Sequence, residues 1–141
     1  MLNLNGIKVG ESFTIQKKVT EEDTALNYGS GKLEKLFATP SLIALMIEGS
    51  SMMLDDKLEE GYITVGKSIS ASHDKPTVLG ETVSVKIVVD EIVGTKIKLK
   101  IDAFDEIGLI GHGEHERVVV NKNSLLQRAN KREEKLKSTN Y

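Results

Sequence analysis

The chain has 141 residues and a formal net charge of −2, with no Cys, no Trp, three Phe, three Tyr and three His. That length makes one ordinary domain, able to bury about two-thirds of its unfolded surface. The slightly acidic balance and few aromatic rings argue against nucleic acid as a partner. The absence of thiols, with histidines in no HExxH-like spacing, argues against disulfides and a zinc centre. No targeting motif opens the sequence, so a cytoplasmic location is expected.

In chain order, Gly6-Ile7-Lys8-Val9-Gly10 reads as a turn leading into a strand, and Glu11 to Val19 alternates with Phe13, Ile15 and Lys17 on one side. Thr20 followed by Glu21, Glu22 and Asp23 is an N-cap with acids in the first turn, where the helix dipole favours negative charge. A short helix to Tyr28 is predicted, ended by Gly29-Ser30-Gly31, with Lys32 to Leu36 crossing to the next element. Leu36 to Met53 is apolar. Thr39 is expected as its N-cap and Pro40 as its first helical residue, where the missing N–H costs nothing. Leu42 to Ile47 leaves no polar face for nearly two turns, so the helix is expected to be buried all round. Glu48, Ser50 and Ser51 interrupt it too soon for a membrane span. Asp55 to Gly61 is charged and loop-like.

From Tyr62 the period changes to two. Ile63, Val65, Ile69, Ala71 and His73 share one predicted face, with Thr64, Gly66, Ser68, Ser70 and Ser72 on the other. Val83, Val85, Ile87 and Val89 make a second strand face, and Ile97, Leu99, Ile101 and Ala103 a third. Val93-Gly94-Thr95 and Asp105-Glu106-Ile107-Gly108 are hairpin-like connections. A last strand, Leu109 to Asn121, precedes an amphipathic helix capped by Ser124 and carrying Leu125, Leu126, Ala129 and Leu136. Met46, Met52 and Met53 read as adaptable core filler. Consecutive antiparallel strands with one apolar helix inserted after the first predict an α+β hot-dog fold, a curved sheet wrapped around that helix. Such a unit leaves an edge strand and part of the helix uncovered, so a homodimer is expected.

Gly6-Ile7-Lys8-Val9-Gly10-Glu11, Phe37-Ala38-Thr39, Val65-Gly66 ahead of His73, and Gly111-His112-Gly113-Glu114-His115-Glu116-Arg117 together resemble the fluoroacetyl-CoA thioesterase-like hot-dog thioesterases. The resemblance runs from Gly6 into the final helix with essentially no gaps. It implies a dimeric hydrolase of short acyl-CoA thioesters that holds the acyl group near the helix at the subunit interface. The family's catalytic threonine falls on Thr39, its histidine on His73, its backbone-contact glycine on Gly66 and its substrate-binding arginine on Arg117. The family glutamate falls on Ile47, and the nearest acid, Glu48, comes one residue later. One residue turns a helical side chain by about 100°. Glu48 therefore joins the site if the helix bulges near Gly49 and misses it if the helix is regular.

Independently of any family, thioester hydrolysis needs a nucleophile activated by a base and donors for the carbonyl oxyanion. His73 titrates near neutrality and can act as acid and base. Thr39 at a helix start can bind the carbonyl or attack it. Free N–H groups of that terminus, and the main chain at Gly66, are candidate oxyanion donors. No metal or organic cofactor is required. His112 reads as a surface residue, His115 and Glu116 as ordering the strand around Arg117, and Arg117 itself as a surface ion pair or as a contact for CoA phosphate or the interface. Two other readings stand beside the thioesterase. One is an acyl-CoA-binding protein without turnover; the other is a hot-dog hydratase or dehydratase, which needs a His-carboxylate pair beside the thioester.

Overall fold

The structure, a computed structural model describing residues 3–139, is a five-stranded antiparallel sheet with one long helix packed on a face and a second helix at the end of the chain. The elements are β1 (Ser12–Lys18), α1 (Thr39–Asp55), β2 (Tyr62–His73), β3 (Thr82–Val93), β4 (Lys96–Phe104), β5 (Leu109–Asn121) and α2 (Lys122–Thr139). The sheet order is β1-β3-β4-β5-β2, so only β3, β4 and β5 are consecutive neighbours. The strands before and after α1 occupy opposite edges, and α1 carries the chain between them. It packs on β1, β2 and β3. The alternating residues of β3 and β4, with Ile110, meet Leu42, Leu45, Met46, Met53 and Leu54 of α1 in the core.

Glycines let the helix approach the sheet closely. A Cβ at Gly49 would lie 2.5 Å from Ile87 Cδ1, and one at Gly113 would lie 2.8 Å from Met46 Sδ. Gly49 thus serves close packing, and α1 is unbroken through it. Ser50 Oγ donates to the Met46 carbonyl at 2.7 Å without opening the turn.

Several local expectations are corrected. The predicted helix to Tyr28 is two single 3₁₀ turns, Glu21–Asp23 and Ala25–Asn27, the first closed by a Thr20/Asp23 capping box. Its acids lie where the dipole wants them, but the chain turns before an α-helix forms. The last helix starts at Lys122, and Asn121 rather than Ser124 caps it, Asn121 Oδ1 accepting from the Ser124 N–H at 3.0 Å. Only one face of α1 is covered: Met46 and Met53 are buried, while Ile47 is 38% and Met52 50% exposed.

The face assignment on β2 also changes. A bulge between Gly66 and Ser68 inserts Lys67 into the strand, so two residues of β2 oppose one of β5. Before the bulge the inward residues are Tyr62, Thr64 and Gly66; after it they are Ile69, Ala71 and His73. The pairings bear this out, since Thr64, Gly66, Ile69, Ala71 and His73 oppose or flank the buried Val119, Arg117, His115, Gly113 and Gly111 of β5. Ile63 and Val65 therefore do not share His73's face. One inserted residue has exchanged the two sets.

Candidate active site

The N-cap of α1 is Ala38, Thr39 is the first helical residue and Pro40 follows, so Thr39 does not cap the helix as expected. Its hydroxyl is engaged elsewhere, 2.7 Å from His73 Nδ1 at the end of β2. Leu42 N–H makes the first intrahelical bond, to the Ala38 carbonyl at 3.1 Å. The Thr39 and Ser41 N–H groups are then left without intrahelical acceptors beside the hydroxyl, and Pro40 has no N–H to offer.

The His73 ring is also fixed by Phe37, whose ring meets it edge-on with centroids 6.2 Å apart. His73 Nε2 is buried and makes no hydrogen bond to the described residues. Burial holds the imidazole pKa below its ordinary value, and the Asp74 carboxylate and the main chain of Lys75 offset part of that. The ring is accordingly neutral at pH 7, the form in which Nδ1 can accept the threonine proton. The pair opens on a mostly apolar cleft of about 550 Å³ walled by Tyr28, Leu33, Leu36, Phe37 and Pro76.

The remaining candidates lie elsewhere in the chain. Glu48 lines a separate groove with Lys17, Glu22 and Asp23, sharing only the Tyr28 wall with the cleft. A regular helix has turned it away, the second of the two outcomes set by the spacing. Gly66 and Arg117 are brought together, with Ile47 and His115, around another cavity of about 520 Å³. Arg117 is 4% exposed and is not a surface ion pair. Its Nε donates to Thr64 Oγ1 at 2.8 Å and its Nη2 to the Thr64 carbonyl at 2.9 Å, while Thr64 Oγ1 donates to Asp55 Oδ1 at 2.7 Å. His115, 2% exposed, lies beneath Gly66. Because Ser50 Oγ gives its proton to Met46, it must accept from His115 Nδ1–H at 3.1 Å. Burial and then the nearby Arg117 charge push the His115 pKa down to about 4, so it stays neutral. His112 is exposed, as expected, and bonds Asp102 at 2.8 Å.

Composition and periodicity did not single out Phe37, Tyr28, Leu33 or Ser50. Phe37 entered only as part of the Phe37-Ala38-Thr39 phrase, without a role; the others come together only in the fold.

A family model described as fluoroacetyl-CoA-specific thioesterase matches residues 19–123. The chain belongs to that family. It is 29% identical over 121 residues to the fluoroacetyl-CoA thioesterase of Streptantibioticus cattleyicolor, an alignment covering 82% of this chain and 87% of that one. Its fold is that of a hot-dog-like protein from Thermanaerovibrio acidaminovorans, with a TM-score of 0.86, 32% identity, and coverage of 91% of this chain and 94% of that one. It is also similar to a variant of the fluoroacetyl-CoA-specific thioesterase FlK solved with fluoroacetate and CoA, with a TM-score of 0.77, 27% identity, and coverage of 84% and 99%. The α+β hot-dog architecture expected from the elements is thus the fold of the family. Nearly all of α2 lies beyond the matched residues.

Proposed function

We propose that the chain hydrolyses short-chain acyl-CoA thioesters, with Thr39 and His73 as the reacting pair. The observation that carries this is the 2.7 Å contact between Thr39 Oγ1 and His73 Nδ1 at an apolar cleft beside a helix N-terminus. Neutral His73 accepts the hydroxyl proton at Nδ1 as Thr39 Oγ1 bonds to the thioester carbonyl carbon. The carbonyl oxygen becomes an oxyanion, within the field of the free N–H groups at the start of α1. Collapse breaks the C–S bond, the imidazolium returns its proton to the leaving thiolate, and water activated by the same nitrogen then cleaves the threonyl ester.

The active species is proposed to be a homodimer. The exposed Ile47 and Met52 on the uncovered side of α1, and the uncovered edge of β2, support that reading. The Gly66–Arg117 cavity and the Thr39–His73 cleft are separate within one chain, and in this reading a second copy joins them. Light scattering at micromolar protein is expected to give a multiple of 15.5 kDa. A 15.5 kDa particle alone would remove the shared site.

A second reading, an acyl-CoA-binding protein without turnover, is favoured by one specific observation: among the described residues no carboxylate bonds His73 Nε2, and the helix position that carries the family acid is Ile47. A panel of acyl-CoA thioesters assayed for thiol release distinguishes the two. Turnover of at least one short acyl-CoA is expected; saturable binding of every ester with no free CoA produced would put the binding protein in the enzyme's place.

A further inference from the structure

We propose that Thr77 and Asp105 are positioning residues that hold Thr39 and His73 in register, an inference that rests on the reading of that pair as the reacting one. Thr77 is fully buried, four residues beyond His73 in the segment that leaves β2. Its carbonyl accepts the Phe37 N–H at 2.8 Å, and Phe37 both packs on the His73 ring and stands two residues ahead of Thr39. The segment that leaves the histidine is therefore bonded to the segment that delivers the threonine. Two further contacts extend that seam: the Leu36–Val78 bridge, and Leu79 N–H to the Lys35 carbonyl at 3.0 Å.

What fixes the seam to the sheet is the Thr77 side chain. Its hydroxyl donates to Asp105 Oδ2 at 2.8 Å, just beyond the end of β4. The other carboxylate oxygen accepts the N–H groups of Ile107 at 2.8 Å and Gly108 at 3.2 Å, so Asp105 is itself held by the β4–β5 hairpin. Burial alone would raise the Asp105 pKa, but the bonds from Thr77, Ile107 and Gly108 outweigh it and keep the carboxyl ionised. On the other side, Asp74 and Lys75 N–H both reach the Ile110 carbonyl, at 2.7 and 3.2 Å. The chain after His73 is thereby tied at two points to the hairpin, and Thr77 passes that constraint across to Phe37 and Thr39. Removing the Thr77 hydroxyl leaves an acceptor of Asp105 unpaired and frees the seam to shift. Displacements well under 1 Å matter for a contact of 2.7 Å.

The test is the titration of His73 itself, read by NMR from its ring protons in Thr77→Val, Thr77→Ser and wild type. The titratable groups around the ring are Asp74, Lys75 and Tyr28, all lining the same cleft and unchanged by these variants. Phe37 packs edge-on against the half-buried ring, so a loosened seam exposes the ring to more water. Thr77→Val is expected to move the His73 pKa up toward 6.5, and Thr77→Ser, which retains the donor, to restore the wild-type value. Should Thr77→Val fail to fold, Asp105→Ala, which removes the acceptor of the Thr77 hydroxyl, carries the same measurement. A wild-type His73 titration in the folded valine or alanine variant overturns the proposal. This readout needs no turnover, so it stands apart from failure of the thioesterase reading. Where an acyl-CoA is cleaved, kcat is expected to fall about tenfold or more in Thr77→Val with KM little changed. An unchanged kcat would count equally against the proposal.

Discussion

His73→Ala is expected to lower turnover of the best acyl-CoA by about 10² or more while the fold survives. His73 closes β2 at the rim of the cleft and lies outside the cluster of buried residues that hold α1 on the sheet. Its loss forfeits one ring contact with Phe37 and one hydrogen bond to Thr39, against a core built from β3, β4 and α1. Circular dichroism and thermal melting of the variant should therefore resemble wild type. The pH dependence has a definite sign. Burial lowers the His73 pKa, so the neutral base is the dominant form at pH 7, and kcat/KM should be flat above that and fall as the pH drops through a value below 6.5. A profile whose acid limb lay above pH 7 would mean that another group is titrating. Equal activity in folded wild type and His73→Ala would remove the histidine from the chemistry.

The site was legible in the sequence to the extent that its residues act through local pattern. Thr39 before Pro40 marked a helix start, and the alternation ending at His73 put that histidine on an inward face; the structure joins the two at hydrogen-bond distance. The hydroxyl that suits Thr39 to a helix cap also suits it to a histidine acceptor. Only the fold decides which of them it meets. The face of Ile63 and Val65 was misread since a bulge is one residue long and leaves no mark on hydrophobic period except a change of parity, which Lys67 hides among the small polar residues around it. The spacing left Glu48 between two geometries, and α1 is regular through Gly49. The burial of Arg117 was invisible because its partners, Thr64 and Asp55, are distant in sequence. The Thr77–Asp105 strut was missed for the same reason, spanning 28 residues between two loops that composition alone makes unremarkable.

Thr39→Val tests the central claim most directly. Valine keeps the branched shape of threonine and removes only the hydroxyl, at a helix position where that hydroxyl makes no capping bond. The stability cost should thus be small, since the lost partner is a histidine at the edge of the cleft. In the proposed mechanism the hydroxyl is the atom that bonds to the thioester carbon, so its removal acts on the transition state and not on ground-state affinity. Thiol release from the best acyl-CoA of the panel should fall by about 10² or more, with the dissociation constant for a non-cleaved CoA thioether unchanged within a few-fold. Turnover by Thr39→Val at the wild-type rate would contradict the account, leaving His73 to act on water without the threonine.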